Sequence, residues 1–305
     1  MTLAKPAPAK IDTLVTVTSR DYLPGTWVML HSFLQAHPDF DGDIAVLADD
    51  LADKDKYQLS VSFERIGFSE PSEKLARSIA DLTRSVPKLQ GRARRFFSLE
   101  AFNPARAGNV LFCDSDLLFR SGIDAMLAMD GAIIACGDRA QLIGSGRDQS
   151  SLAELDGSET RTPVRDGFAT FNAGLMLIRP ELRTPENWAA LLGHLDHKVW
   201  GEIATQHTDQ AVYNKMFGRQ VTLAGASHNY LVGHGSALRN AAIAPMSEAK
   251  VLHFNGPAKP WHFGRHLDAA TADASYVRAF QDWYSAYTRF LTSHHFVANT
   301  GSDIS

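Results

Sequence analysis

The chain has 305 residues, 45% of them hydrophobic and 21% charged, which is enough apolar content for a large globular core. Thirty basic residues against 34 acidic ones leave a formal charge of −4, which argues against a nucleic-acid binder, since such proteins carry a basic excess or stripe. Asp, Arg or Gly interrupts every apolar stretch before it reaches the roughly eighteen residues needed to span a bilayer. The Ala/Pro/Lys-rich segment Met1–Lys10 lacks a secretory apolar run, and Cys113 and Cys136 show no metal-ligand or disulfide spacing. These features predict a cytoplasmic globular protein with a flexible segment at 1–10.

The β-branched run Thr13–Thr18 predicts a buried strand. After the turn signal Pro24-Gly25, Trp27, Leu30, Phe33 and Leu34 recur at helical spacing, and Ile44–Leu47 is the next strand. Alternation of this kind predicts a mostly parallel sheet flanked by helices. A helix at Ala93–Phe102 follows, then strands at Asn109–Cys113, Ala132–Cys136, Phe171–Ile178 and Val221–Leu223, with a helix opening near Asp209. Two Gly/Ser-rich stretches, Gln141–Asp166 and Gly233–Ser247, predict long surface loops. From Asp273 a helix returns, with Tyr276, Phe280, Trp283, Tyr287 and Leu291 in a stripe that predicts packing onto the main domain ahead of a dimer seam or membrane contact.

Four local patterns carry chemistry. Val110-Leu-Phe-Cys-Asp114-Ser115-Asp116 ends an apolar strand in two carboxylates, at the sheet edge where α/β proteins bind ligands. Such oxygen donors suit Mg²⁺ or Mn²⁺ bridging to phosphate, although isolated Asp-x-Asp pairs are commonly solvated turns. His253-Phe-Asn-Gly256-Pro-Ala-Lys259-Pro-Trp261 offers an imidazole, a glycine for close backbone approach and a lysine for phosphate charge; the plainer alternative is a surface turn. Phe171-Asn172-Ala173-Gly174 sets an amide and small residues at a strand edge, suited to sugar hydroxyls, and Thr208-Asp209-Gln210 opens a helix. By themselves these two read as a strand edge and a cap.

Together, in this order and over roughly residues 12–265, the patterns resemble family 8 glycosyltransferases, the family of glycogenin and bacterial lipopolysaccharide galactosyl- and glucosyltransferases. The resemblance implies an α/β GT-A fold: one Rossmann-like nucleotide-binding domain over residues 11–267, with a mostly parallel mixed sheet and helices on both faces. Residues 268–305 are then a C-terminal helical extension and tail. It implies a retaining transferase that moves a hexose, glucose or galactose, from a UDP-sugar to a carbohydrate, glycolipid or protein acceptor, with Mn²⁺ or alternatively Mg²⁺. By motif position, Asp114, Asp116 and His253 resemble the metal ligands, Asp114 also the ribose contact of the donor, and Gly256 and Lys259 the diphosphate contacts. Val17, Ser19, Tyr22, Ser115 and Ala173 resemble donor contacts, with Arg94 and Arg95 competing for a basic position. Asn172, Asp209, Gln210 and Asp138 fall on the donor-sugar and reaction-centre positions. The Gln210 amide oxygen is suited to stabilising positive charge on the sugar. Peripheral contact with a membrane and a homodimer are compatible with this reading. A catalytically silent sugar-nucleotide- or glycan-binding protein on the same fold is the alternative; it should have lost a metal ligand or the lysine, and all are present.

Overall fold

The computed structural model describes residues 8–143, 164–165, 168–202 and 207–293. In chain order the principal strands are β1 (Thr13–Val17), β2 (Asp43–Leu47), β3 (Ile66–Ser69), β4 (Val110–Asp114), β5 (Leu117–Phe119), β6 (Ile133–Gly137), β7 (Phe171–Ile178), β8 (Val221–Ala224), β9 (Tyr230–Leu231) and β10 (Val251–His253). The principal helices are α1 (Leu23–Ala36), α2 (Asp53–Ser62), α3 (Glu73–Ser85), α4 (Pro185–Gly193), α5 (Asp209–Phe217), α6 (Phe263–Ala272) and α7 (Ala274–Ser293).

Seven strands form the main sheet in the order β8-β6-β7-β4-β1-β2-β3. All neighbours are parallel except β7, which runs antiparallel to both β4 and β6. The sheet is therefore mixed and mostly parallel, as the sequence alternation predicts. Because β7 is reversed, its first residues lie at the same edge as the last residues of β1 and β4. A second, three-stranded sheet, β9-β10-β5, hangs beside that edge.

Alternating side chains give the main sheet two buried faces. On one, Val15, Phe112, Met176 and Ile178 pack under α3, α4 and α5 through Leu75, Ile79, Trp188, Leu191 and Tyr213. On the other, Leu14, Leu111, Leu175 and Leu177 pack under α1 and α2 through Met29, Leu30, Phe33 and Leu59. Phe290 of α7 joins this second face, while Tyr276, Phe280 and Trp283 bury against the small sheet. The aromatic stripe thus packs onto the main body, in line with the sequence expectation. One member is corrected: Leu291 is 38% exposed, and the wholly buried neighbour Phe290 continues the stripe instead. A step of three after Tyr287, not four, keeps the fifth position on the buried face of a 3.6-residue helix.

Two other expectations change. The segment predicted as helix at Ala93–Phe102 belongs to a longer run of 3₁₀ turns, Pro87–Phe102, in which the Ser98 hydroxyl donates to the Arg95 carbonyl at 2.8 Å and competes with helical backbone bonding. The predicted loop at Gly233–Ser247 contains a helix, Gly235–Asn240, anchored by the buried Leu238; its Gly/Ala-rich composition conceals the single apolar anchor. The other predicted loop, Gln141–Asp166, lies largely outside the described residues. Its first residues complete a short helix, Arg139–Ile143.

Candidate active site

β4 carries Asp114 to the ligand-binding edge, directly beside Val17 at the end of β1. Asp116 follows two residues later and is buried. Antiparallel pairing of β10 with β5 sets His253 opposite Leu117, so the imidazole meets both acids. Its Nε2 lies 3.6 Å from Asp114 Oδ2 and 3.3 Å from Asp116 Oδ1. Asp116 Oδ1 nonetheless has no hydrogen-bond partner, although it is buried. One ligand atom from each of the three residues lies within 4.8 Å of the others. Two carboxylate oxygens and one imidazole nitrogen that converge on one point fit a divalent cation.

The two acids differ in electrostatic state. Burial and the neighbouring Asp116 raise Asp114 above the usual carboxylate range, even though its side chain is 41% exposed. Burial also disfavours the Asp116 anion, but Lys259 and His253 outweigh it and hold that carboxyl well below the usual range. Lys259 bonds Asp116 Oδ2 and donates to the Phe254 carbonyl at 2.7 Å. It is 5% exposed, so the lysine turns inward even though the turn at Gly256 lies on the surface. Its ammonium lies 5.6 Å from the centre of the Tyr22 ring, which in turn packs edge-on to Trp261 at 5.5 Å. Gly256 turns the exposed loop between His253 and Lys259 with φ +86°, a conformation that costs glycine little.

A bulge in β7 builds the floor. β6 pairs Ala135 with Met176 but Cys136 with Asn172, so Ala173, Gly174 and Leu175 lie in the irregularity beside Asp114. Bulges re-aim side chains in this way at the ends of strands. A Cβ on Gly174 would stand 2.9 Å from Asp114 Oδ2 and closer still to the His253 ring, so only glycine admits both ligands. The buried Asn214 clamps α5 to the start of the strand: its Oδ1 accepts from Phe171 N at 2.7 Å and its Nδ2 donates to Phe171 O at 3.1 Å. One turn earlier, Gln210 Oε1 accepts from Asn172 Nδ2 at 3.1 Å and Ala173 N at 3.4 Å. The amide oxygen assigned to the sugar by sequence is therefore turned into the strand, because backbone and side-chain donors already hold it.

Asp209 is fixed by Ser98 Oγ at 2.7 Å and Thr208 Oγ1 at 2.9 Å, and Ser98 also meets Tyr213 OH at 2.8 Å. Its charge is close enough to contribute to the raised state of Asp114. Ala173 and Ser115 are buried, and Ser19 is half-buried before the 3₁₀ turn Arg20–Tyr22. Arg94 pairs with Asp49 at 2.6 Å and Asp50 at 2.9 Å, whereas exposed Arg95 acts by charge on Tyr22. Asp138 is more local: its Oδ1 accepts from Thr170 Oγ1 and from Gln141 N, both at 2.9 Å, in the manner of a helix cap. Sequence reasoning missed Ser98, Tyr213 and Asn229. Ser98 and Asn229 reach the site from segments without a motif, and Tyr213 lies one helical turn beyond the Asp209-Gln210 pattern.

Comparison with known proteins decides the family. The model for glycosyl transferase family 8 matches residues 13–264. The chain belongs to this family. The glycosyltransferase resembles an active-site mutant of LgtC with a TM-score of 0.62 at 17% identity, over 92% of this chain and 95% of that one. The galactosyltransferase LgtC with donor and acceptor sugar analogues gives 0.59 at 18% identity, over the same shares. Mouse xyloside xylosyltransferase 1 gives 0.54 at 16% identity, over 80% of this chain and 97% of that chain. These likenesses identify the GT-A fold. No curated protein matches the chain. No helix among the described residues is long and apolar enough to cross a membrane.

Proposed function

We propose that this glycosyltransferase is a retaining, metal-dependent enzyme that transfers a hexose, glucose or galactose, from a UDP-sugar to a carbohydrate, glycolipid or protein acceptor. The observation that carries the proposal is the convergence of Asp114, Asp116 and His253 around one point, with Lys259 beside it. The mixed carboxylate–imidazole set favours Mn²⁺ over Mg²⁺. When bound, the metal supplies Lewis-acid stabilisation of the diphosphate that leaves.

The chain's own groups do the rest. Val17, Ser19 and Tyr22 line the loop after β1 and hold the nucleoside, with Ser115 beside the metal ligands. Gly256 lets the backbone approach the diphosphate, and Lys259 shifts from Asp116 toward the developing negative charge. Arg95 is the better candidate than Arg94 for the donor's basic contact, because Arg94 is engaged by Asp49 and Asp50. Asn172, Ala173, Asp209 and the Gln210 amide orient the sugar, while Asp138 supports the neighbouring loop. Asp209 already accepts two hydroxyl hydrogen bonds, which favours positioning over nucleophilic attack. Retention then proceeds by attack on the face that UDP leaves, with a phosphate oxygen of UDP accepting the acceptor's proton.

A panel of UDP-sugars incubated with Mn²⁺ tests donor and activity together, because slow hydrolysis names the donor without the acceptor. Calorimetry of UDP with Mn²⁺ should show weakened binding in Asp116→Ala and His253→Ala. Wild-type affinity in both variants would overturn the metal assignment. A β-linked product from an α-linked donor would overturn retention. UDP binding without turnover of any donor and acceptor would favour the silent binding protein.

A further inference from the structure

Asn229 ends a 3₁₀ turn, Ala226–Asn229, and is completely buried. A buried carboxamide is costly unless both ends are bonded, and here both are. Its Oδ1 faces His253 Nδ1 at 3.0 Å, and its Nδ2 donates to Asn172 Oδ1 at 2.8 Å. We propose that Asn229 is a positioning residue that holds His253 in its metal-ligating tautomer and ties that ligand to the Asn172–Gln210 floor. The inference rests on the metal site proposed above.

The polarity of the chain of amides follows from backbone groups that can only donate. Gly174 N donates to Asn172 Oδ1 at 3.0 Å, which fixes that atom as oxygen. Ala173 N donates to Gln210 Oε1, which fixes the far end in the same way. Asn229 must therefore present Nδ2 to Asn172 and Oδ1 to His253. An acceptor at His253 Nδ1 requires a proton there, so the neutral ring keeps its lone pair on Nε2, toward Asp114 and Asp116. Reversing the Asn229 amide would set oxygen against oxygen at Asn172 and a donor against the imidazole donor. One amide thus orients the histidine at one end and the reaction-centre amides at the other.

Two variants separate these roles. Asn229→Leu removes both bonds. Asn229→Asp keeps an acceptor for His253 but sets a second acceptor against Asn172 Oδ1. By calorimetry, Asn229→Leu should lose roughly 10- to 100-fold in Mn²⁺ affinity, while Asn229→Asp should stay within about threefold of wild type. Asn229→Asp should still lose about tenfold or more in kcat for UDP-sugar hydrolysis, through misplacement of the floor. Wild-type Mn²⁺ affinity in Asn229→Leu overturns the proposal, as does an equal loss of affinity in both variants alongside an equal fall in melting temperature. A measurement on the unaltered chain needs no variant. Nitrogen NMR of the His253 ring, in protein loaded with diamagnetic Mg²⁺, should find the proton on Nδ1; a proton on Nε2 overturns the proposal. If the wild-type chain binds no divalent cation, the proposed function fails; if it binds one and Asn229→Leu binds it as tightly, only the role of Asn229 fails.

Discussion

Lys259 and Asp116 form an ion pair with both side chains almost fully buried, at 6% and 8% exposure. In the metal-free chain the ammonium neutralises this carboxylate, so it serves folding as well as the phosphate binding proposed for it. Breaking a buried pair from one side leaves an uncompensated charge and costs roughly 3–5 kcal/mol. Lys259→Ala should therefore lower the melting temperature of the metal-free protein as well as turnover. Excess Mn²⁺ should recover much of the melting loss, because a cation bound to Asp116 replaces the lost charge, but it should not recover kcat. Melting curves with and without Mn²⁺ check this; a deficit that Mn²⁺ leaves unchanged would show that the lysine acts on stability through something other than Asp116.

Gly174→Ala tests the floor with one methyl group. The added carbon would stand closer than van der Waals contact allows to both Asp114 Oδ2 and His253. The imidazole has to move, and Nε2 leaves the point shared with the two acids. Mn²⁺ affinity should fall about tenfold or more, in the range seen when ligand orientation is lost. Calorimetry reads the loss directly, and wild-type affinity would mean that the ring is not held where β7 puts it.

The readable part of this site is the part built from strand ends. Asp114 and His253 each close an apolar run; the parallel pairing of β4 with β1 explains the place of Asp114, whereas His253 reaches the same edge through the small sheet, by antiparallel pairing of β10 with β5. Asn172 and Gln210 were legible only through the family resemblance, because an amide at a strand edge and one at a helix start are ordinary capping features. Asn229 and Ser98 were not legible. Each depends on long-range placement, Asn229 beside a histidine 24 residues away and Ser98 beside an acid 111 residues away. The same limit applies to the fold. β5, β9 and β10 are two or three residues long and carry no periodicity of their own, yet they position His253.

Asp273 links the helix at Gly235–Asn240 to the start of α7. Its carboxylate accepts from Ser275 N and Arg239 Nη2, both at 2.9 Å, and from the Ser236 hydroxyl. Burial opposes the anion, but these donors outweigh it and hold the carboxyl well below its ordinary value of 3.8. A depressed folded-state value contributes stability above the unfolded value and loses it as pH falls through the folded one. Asp273→Asn should therefore cost about 1 kcal/mol at pH 7, typical of a lost cap. The gap between variant and wild type should narrow below about pH 4. Denaturant melts at pH 7 and pH 3.5 measure it, and a gap that does not change would remove the charge from the explanation.

The family match ends at residue 264, before α7 begins, so the match alone would make residues 268–305 a detachable extension. The packing of α7 argues for the opposite outcome. Phe290 is fully buried and stacks on Trp27 of α1 at 5.8 Å and on Phe63, just after α2, at 5.9 Å, with His31 meeting it edge-on. It closes the same face of the main sheet that Leu111 and Leu177 occupy. Truncating an aromatic ring in such a position costs about 3–5 kcal/mol, a large share of a domain's stability. Phe290→Ala should therefore destabilise the whole domain in one cooperative transition. Leu291→Ala, one residue on and partly exposed, should stay within about 0.5 kcal/mol of wild type. Urea unfolding followed by both far-ultraviolet circular dichroism and tryptophan fluorescence distinguishes the cases. Coincident transitions, shifted only by the Phe290 change, make α7 part of the core. A separate early transition would restore the detachable extension.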